Sequence, residues 1–277
     1  MRISLLFVAT TILISSGLQA EEPVEKKKFH PLMGDRHTFI LGVYNQDADA
    51  EFYADAGDIG GGSVNLGDLG MNEDYTSGMV EYRFRLNDKW LFSVGGYRFN
   101  TDGTLGVRRP FVYDGQEFEA GVTVDSKLET TTYIADAMYK VYGNEKAEIF
   151  VGGGLHIFDL GAELKGRAFV GEQEKTSSRA ADDILAPLPN LRAQGFYALS
   201  PKWALVGTMG WFSLKYDDYD GSFTYIHARA AYRMTEHFGV ALGYQFLDMD
   251  FSVDRSRGEA GFDIEFDGPS LHLTYSF

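Results

Sequence analysis

The sequence predicts an all-β fold: a transmembrane antiparallel up-and-down β-barrel of about ten strands, with eight or twelve strands as alternatives. Three observations support this prediction. Segments in which apolar and polar residues alternate with a period of two recur along the chain. Short and long connections alternate between these segments. Beyond residue 20 there is no run of eighteen apolar residues, so strands rather than a helix would have to cross a bilayer.

Four tight polar turns join strands in pairs, and an aromatic residue often opens the strand that follows. The four segments are "YRFRLNDKWLFSVGGYRF", "AMYKVYGNEKAEIFVGGGL", "GFYALSPKWALVGTMGWF" and "AAYRMTEHFGVALGYQF". Each is typical of a hairpin. One more strand precedes these pairs, at about 37–48, and one follows them, at about 261–277. Four pairs and two single strands make ten.

Most of the other connections are longer. They are predicted at residues 49–75, 101–127, 167–187, 216–222 and 252–260. Short turns at one end and long loops at the other are typical of outer-membrane barrels, whose turns are periplasmic and whose loops are extracellular. Within 101–127, "FVYDGQEF" places a Tyr-Asp-Gly-Gln turn between apolar flanks, which predicts a hairpin that protrudes beyond the membrane.

The alternation predicts which side chains face lipid and which face the barrel interior. Hydrocarbon offers no partner for polar groups, so the apolar set is expected outside and the polar set inside. A soluble periplasmic β protein would have the opposite sense, and alternation alone does not separate the two. The loop asymmetry favours the membrane. The predicted lumen charge network is Glu81, Arg83, Arg85, Asp136, Lys140, Glu148, His156, Arg192, His227, Arg229, Arg233 and His272.

Aromatic residues at the strand ends predict the membrane interface. Trp90, Tyr142, Trp203 and Phe238 lie at or beside the short turns, where a girdle of interfacial aromatics belongs. The last strand, "SLHLTYSF", sets Leu271, Leu273, Tyr275 and Phe277 against a polar face. We expect this apolar set to face outward while the strand closes the barrel against the first one.

The N-terminus predicts export. Residues 1–20 have a basic start, an apolar core and a small residue before "EE", which is typical of a secretory signal peptide. Residues 21–36 are charged and contain two prolines, and we assign them to a flexible periplasmic leader; residues 37–277 are the predicted barrel. Without the signal peptide 24 basic and 40 acidic residues remain, a net charge of −16. This charge argues against nucleic acid as a partner. The chain has no cysteine, so packing and hydrogen bonds must stabilise it.

The C-terminal strand also resembles a known signal. An alternating last strand that ends in an aromatic residue is similar to the sorting signal of bacterial outer-membrane proteins, although that pattern commonly has glycine where His272 stands. "SVNLGDLGM", "APLPNLRAQGFYALSPKW", "WFSLKYDDYDGSF", "YQFLDMDFSVDR" and "DGPSLHLTYSF" resemble a functionally uncharacterised family of bacterial outer-membrane β-barrel proteins. The resemblance implies the outer membrane of a Gram-negative bacterium. It also implies contact with outer-membrane lipid and lipopolysaccharide, and with the barrel-assembly machinery during biogenesis. It implies no activity.

Few residues suggest chemistry. Ser270 and His272 share one strand face, but a strand holds such residues roughly 6.5 Å apart, and both are predicted to point inward, away from acyl chains. The 46–81 segment is rich in Asp and Glu and has no Lys or Arg, yet it lacks the spacing of a calcium loop. We therefore expect no catalytic residue, metal or cofactor. The predicted role is non-enzymatic, structural or interactive, at the cell surface, with a mostly filled lumen. The alternatives are a narrow channel for small solutes and a lipid- or peptide-cleaving hydrolase.

Overall fold

The computed structural model describes residues 29–54, 62–65, 74–106, 111–113, 116–118, 123–170, 173–216, 219–255 and 258–277. The predicted signal peptide and residues 21–28 of the leader lie outside these ranges. Within them, a 3₁₀ turn at Pro31–Met33 is the one helical element, and no helix is long and apolar enough to cross a membrane. The strands are β1 His37–Ala54, β2 Gly62–Asn65, β3 Asp74–Arg85, β4 Trp90–Gly106, β5 Phe111–Tyr113, β6 Gln116–Phe118, β7 Thr123–Gly143, β8 Ala147–Val170, β9 Gln173–Ala198, β10 Trp203–Tyr216, β11 Tyr219–Arg233, β12 Phe238–Arg255 and β13 Gly258–Ser276.

Ten of these strands form one closed antiparallel barrel, which confirms the predicted fold. The order is β1, β3, β4, then β7 to β13 in sequence, and β13 pairs again with β1. At the seam, Leu41 stands opposite Leu273 and Val43 opposite Leu271. Two backbone bonds complete it: His37 donates to the Phe277 carbonyl (2.9 Å), and Phe277 donates to the His37 carbonyl (3.0 Å).

The two remaining pairings lie at the loop end of the barrel. The short strand β2 pairs with residues 51–54 of β1. In the "FVYDGQEF" segment β5 and β6 pair with each other, Phe111 opposite Phe118 and Tyr113 opposite Gln116, and they form the predicted hairpin.

Strands replace most of the predicted long connections. Residues 167–187 were expected to be a loop, but β8 continues to Val170 and β9 begins at Gln173. Likewise β10 ends at Tyr216 with β11 starting at Tyr219, and β12 ends at Arg255 with β13 starting at Gly258. The polar composition that suggested loops is compatible with strands, because a ladder satisfies the backbone whatever its side chains face.

The sense of the alternation reverses along the strands. Near the short turns, apolar side chains face outward: Phe39, Leu41, Val43, Leu271, Leu273 and Tyr275 are all exposed. Towards the other end the carboxylates face outward and the apolar side chains are buried inside, among them Ala48, Ala50, Phe262, Ile264 and Phe266. The first arrangement suits a hydrocarbon environment and the second suits water. The barrel therefore has an apolar belt and a water-compatible upper part.

Candidate functional site: the charged lumen

All twelve side chains of the predicted lumen charge network point into the barrel. Ten of them are buried, and Glu81 and Lys140 are half-buried. The strand pleat places these residues on the inner face. Most of their ion pairs cross the lumen between strands that are not neighbours in the sheet.

At the end of β7, the network residue Lys140 faces inward and the interfacial aromatic Tyr142 faces outward because a β-bulge separates them. Lys140 and Tyr142 are two residues apart and would face the same side of a regular strand. The register between β7 and β8 shifts between them. Lys140 consequently points inward and Tyr142 is exposed on the outer face. No pattern in the sequence predicts this bulge.

The centre of the lumen is an ion pair between β7 and β9. Arg192 Nη2 donates to Asp136 Oδ2 (3.1 Å), and its Nε lies 3.0 Å from Oδ1. The Ser93 hydroxyl on β4 also donates to Asp136 Oδ2 (3.0 Å). The Arg192 guanidinium stacks over the Tyr225 ring, 5.1 Å from its centroid. A buried carboxylate and guanidinium are tolerable only with such partners.

A second cluster joins the opposite walls of the barrel. Glu81 on β3 accepts a bond from Arg83 Nη2 (2.8 Å) and lies 3.9 Å from Arg229 Nη1 on β11. Closer to the short turns, Glu148 accepts a bond from Lys140 Nζ (3.1 Å) and lies 3.0 Å from Arg85 Nη2. The predicted network contains six Lys and Arg side chains, and each has a carboxylate within 4 Å. For Arg233 this carboxylate is Asp35, which is described below.

Two of the three histidines in the network, His227 and His156, hydrogen-bond to neutral partners. His227 bridges the hydroxyls of Ser270 (3.1 Å) and Tyr225 (3.2 Å) through its two ring nitrogens. His156 bonds the Asn190 amide (2.9 Å). Ser270 therefore pairs with His227 rather than with His272, which instead meets the edge of Tyr44 (5.5 Å between centroids). The Ser-His contact exists, but with a partner that sequence spacing could not identify.

Glycines on the inner face make room for these side chains. A Cβ on Gly42 would lie 2.6 Å from His272 Nδ1. A Cβ on Gly154 would collide with the Asp136 carboxylate and lie 2.7 Å from Arg192 Cγ. Such close approach is a known reason for glycine within a strand.

The end of the predicted leader closes the lumen at the short-turn end. Leu32 and Met33 are buried against Leu91, Met138, Phe150, Phe196 and further apolar side chains of the barrel. Asp35 accepts a bond from the Ser276 hydroxyl (2.6 Å) and pairs with Arg233, and Arg85 donates to the Leu32 carbonyl (3.2 Å). We call residues 29–36 the plug. The sequence suggested a flexible segment here, whereas the described part is packed.

The plug also buries an imidazole. His30 Nδ1 accepts the backbone N–H of Leu32 (3.2 Å), which caps the 3₁₀ turn. Desolvation lowers the pKa of His30 below its ordinary value of 6.5, so the neutral ring is favoured inside the barrel end.

Towards the other end of the lumen, most of the described inward side chains are apolar and buried. Phe158, Phe223, Leu247, Met249 and the inward residues of β13 leave little exposed surface. His156 packs 4.8 Å from Phe223, between ring centroids, where the polar and apolar layers meet. The lumen is therefore layered: apolar plug, charged centre, apolar upper core.

A small cavity lies in the charged layer. A cavity of about 30 Å³ lies among Tyr44, Glu81, Asp136, Arg192, Tyr225, His227 and neighbouring residues. This is room for about one water molecule. The described residues contain no group of three or more His, Asp or Glu side chains that could hold a metal ion.

The predicted interface residues lie on the outer surface. Trp90, Tyr142, Trp203 and Phe238 are exposed at the level of the short turns, as are Leu271, Leu273, Tyr275 and Phe277 of the last strand. Phe277 stacks on His37, with 5.0 Å between centroids, across the closing seam.

Comparison with known proteins supports the fold. No family model matches the sequence, and no curated protein matches it. Among solved structures, the outer membrane protease OmpT of Escherichia coli superposes with a TM-score of 0.59 at 11% identity, covering 91% of this chain and 99% of OmpT. OprG of Pseudomonas aeruginosa (TM-score 0.37, 10% identity, 87% and 96% coverage) and the toluene transporter TodX of P. putida (0.34, 10%, 88% and 90%) are less similar.

The similarity to OmpT is one of architecture. At 11% identity it shows a closed outer-membrane-type barrel and carries no activity across. The TM-scores of the other two are too low to support any argument.

Proposed function

We propose that this chain is a non-enzymatic outer-membrane protein of a Gram-negative bacterium whose barrel is a closed scaffold for a structural or interaction role at the cell surface. The signal-like N-terminus, the apolar belt with its aromatic girdle and the C-terminal aromatic residue support this location. In this orientation the short turns and the plug are periplasmic, and the water-compatible upper barrel is extracellular.

The observation that supports a closed scaffold best is the filled lumen. The plug, the ion pairs and the apolar upper core succeed one another along the axis, and the cavity described within the charged layer has room for about one water. A conducting path needs a continuous polar bore. Here two of the three layers are apolar.

Conductance in planar bilayers tests the proposal. We expect the purified wild-type protein to be silent at all voltages and salts, with a known porin as positive control. The Asp136→Ala/Arg192→Ala double variant removes both members of the central pair, so it leaves no unpaired buried charge. It should also stay silent, because both apolar layers remain. Discrete conductance steps from the wild type would favour the narrow channel instead.

A hydrolase is the second candidate, because one contact favours it. Ser270 Oγ lies 3.1 Å from His227 Nε2, the distance between a nucleophile and its base. The other ring nitrogen, however, meets the Tyr225 hydroxyl rather than a carboxylate, and both side chains are buried in the lumen. Mass analysis of lipid A and of peptide substrates, with wild type and Ser270→Ala, should show identical profiles; a product that Ser270→Ala abolishes would establish the enzyme.

A further inference from the structure

The barrel wall divides between β9 and β10 at the top of the apolar belt. Their described pairing ends at Leu191 opposite Trp211, although β10 continues to Tyr216. On its other side β9 stays paired with β8 through Pro189 and Pro187. Proline has no N–H to donate, and alternate residues direct their backbone groups to the same side of a strand. Because the ladder with β8 continues past both prolines, the missing donors are on the β10 side.

An open apolar groove of about 720 Å³ lies on the outer face at this division. One cross-strand row of its lining runs through five strands: Phe92, Ala137, Gly153, Leu191 and Trp211. The next row is Val94, Ala135, Leu155 and Pro189. In the first row, Ala137 and Gly153 form the floor and the larger side chains form the ends. Five strands span roughly 19 Å, which suits one extended acyl chain.

The surroundings of the groove indicate hydrocarbon. Leu191 and Trp211 are exposed by 65% and 51%. The girdle residues Trp90 and Trp203 lie on β4 and β10, the two outermost strands of the groove, nearer the short turns. The intervening residues Ser93, Asp136 and Asn190 border the groove too, but their side chains are buried on the luminal side. One layer of backbone thus separates the groove from the charged lumen.

Two cations mark the level of a headgroup. Arg98 and Lys215 stand four residues above Val94 and Trp211, on the two outermost strands of the groove, and both are exposed. They pair with Glu129 (3.4 Å) and Asp220 (3.0 Å), but exposed pairs are weak and can yield to a phosphate. They lie towards the upper, extracellular barrel, and therefore at the outer leaflet.

We propose that this groove binds an acyl chain of lipid A, with the lipid phosphates at Arg98 and Lys215. The inference rests on the proposed outer-membrane location. Any lipid tail is as apolar as the groove, so the selectivity comes from the phosphates and the shape holds the chain. The anionic outer-leaflet lipid is favoured over a phospholipid because the cations are at the extracellular end.

Filling the groove tests the proposal. A Cβ on Gly153 would meet only the Asn190 carbonyl, at 3.9 Å, so Gly153→Leu should fold and occupy the floor. Gly207→Leu is the matched control, since Gly207 is an exposed belt glycine with open space around it and does not line the groove. Native mass spectrometry of the detergent-folded proteins, titrated with lipid A or phosphatidylethanolamine, gives the readout.

We expect wild type and Gly207→Leu to retain lipid A alike, and Gly153→Leu to bind it about tenfold more weakly. The Arg98→Gln/Lys215→Gln variant should lose lipid A affinity by a similar factor. Added salt should lower the lipid A affinity of the wild type towards that of this variant. Equal lipid A binding by Gly153→Leu, equal binding of phosphatidylethanolamine, or a dimer that Gly153→Leu disrupts would overturn the proposal. Membrane fractionation distinguishes failure of the proposed function from failure of the lipid A site. A protein found outside the outer membrane would contradict both proposals. A protein in the outer membrane without lipid A selectivity would contradict only the lipid A site.

Discussion

At the scale of single residues, the packing of the central ion pair depends on which of two adjacent glycines faces the lumen. Gly153 and Gly154 are neighbours on β8, but Gly153 faces the outer groove and Gly154 faces the central ion pair. The glycine run obscures the alternation of this strand in the sequence. The structure explains it, because the inner position needs space for Arg192 while the outer one leaves a concavity.

This difference predicts opposite sensitivities for two adjacent positions. Gly154→Ala should destabilise the barrel by about 1–3 kcal/mol, because the added methyl collides with the Asp136 carboxylate and displaces the central pair. Gly153→Ala is the matched control and should change stability little. Urea unfolding in detergent, followed by tryptophan fluorescence, measures both. Equal stability of the two variants would mean that the central pair does not fill the space beside Gly154.

Which side chains line the lumen could be read from the alternation, but their partners could not. Glu81, Arg83 and Arg85 lie on one strand, and their spacing shows that they share a face. That Glu81 reaches Arg229 while Arg85 reaches Glu148 depends on the register of the closed barrel. Tyr44, Ser93 and Asn190 were missed altogether, since a neutral polar or aromatic residue gives no charge signal.

At the scale of elements, the part of the closing strands farthest from the short turns carries an acidic seam. Across β1 and β13, Asp47 faces Asp267, Asp49 faces Glu265 and Glu51 faces Asp263. On the other side of β13, Asp248 faces Glu265 and Asp250 faces Asp263. Like charges directly opposite each other destabilise a sheet. Partial burial, and then the neighbouring carboxylates, raise the pKa of Asp263 and of Glu265 above their ordinary values.

The raised pKa values fix the sign of a pH effect. Folding favours the protonated form of a carboxyl whose pKa is raised, so this contribution is present at low pH and is lost as the pH rises through the folded pKa. At neutral pH the seam therefore opposes folding. Asp263→Asn/Glu265→Gln should raise the stability of the folded barrel by roughly 0.5–1 kcal/mol and weaken its dependence on salt.

The temperature of the heat-dependent mobility shift on gels, at low and high salt, measures this effect. Glu145→Gln in an exposed short turn is the control and should leave that temperature unchanged. A double variant less stable than wild type at low salt would contradict the repulsion, and would mean that these carboxylates make favourable contacts.

At the scale of the whole molecule, Phe277 takes part in closing the barrel. Phe277 closes the seam by its backbone bonds to His37, which any residue can make, and by its ring, which only an aromatic supplies. If the ring serves as a sorting signal, Phe277→Ser should lower the amount of folded protein in the outer membrane severalfold, while refolding into detergent stays close to wild type. Phe277→Tyr keeps the ring and should assemble normally.

The yield of folded Phe277→Ser protein in cells and its yield in detergent together distinguish sorting from stability. Equal losses in cells and in detergent would assign Phe277 to barrel stability alone. No loss in either would remove the sorting-signal interpretation of the C-terminal strand.

The sequence by itself determined the all-β class, the ten strands and the two faces of the belt, because a period of two is a local property of a strand and can be read residue by residue. Only the tertiary structure decided the rest. The plug, the partners within the lumen, the bulge at Tyr142 and the groove beneath the β9–β10 division bring together residues far apart in the chain. Their contacts depend on how the register accumulates around a closed ring, and no local pattern contains that information.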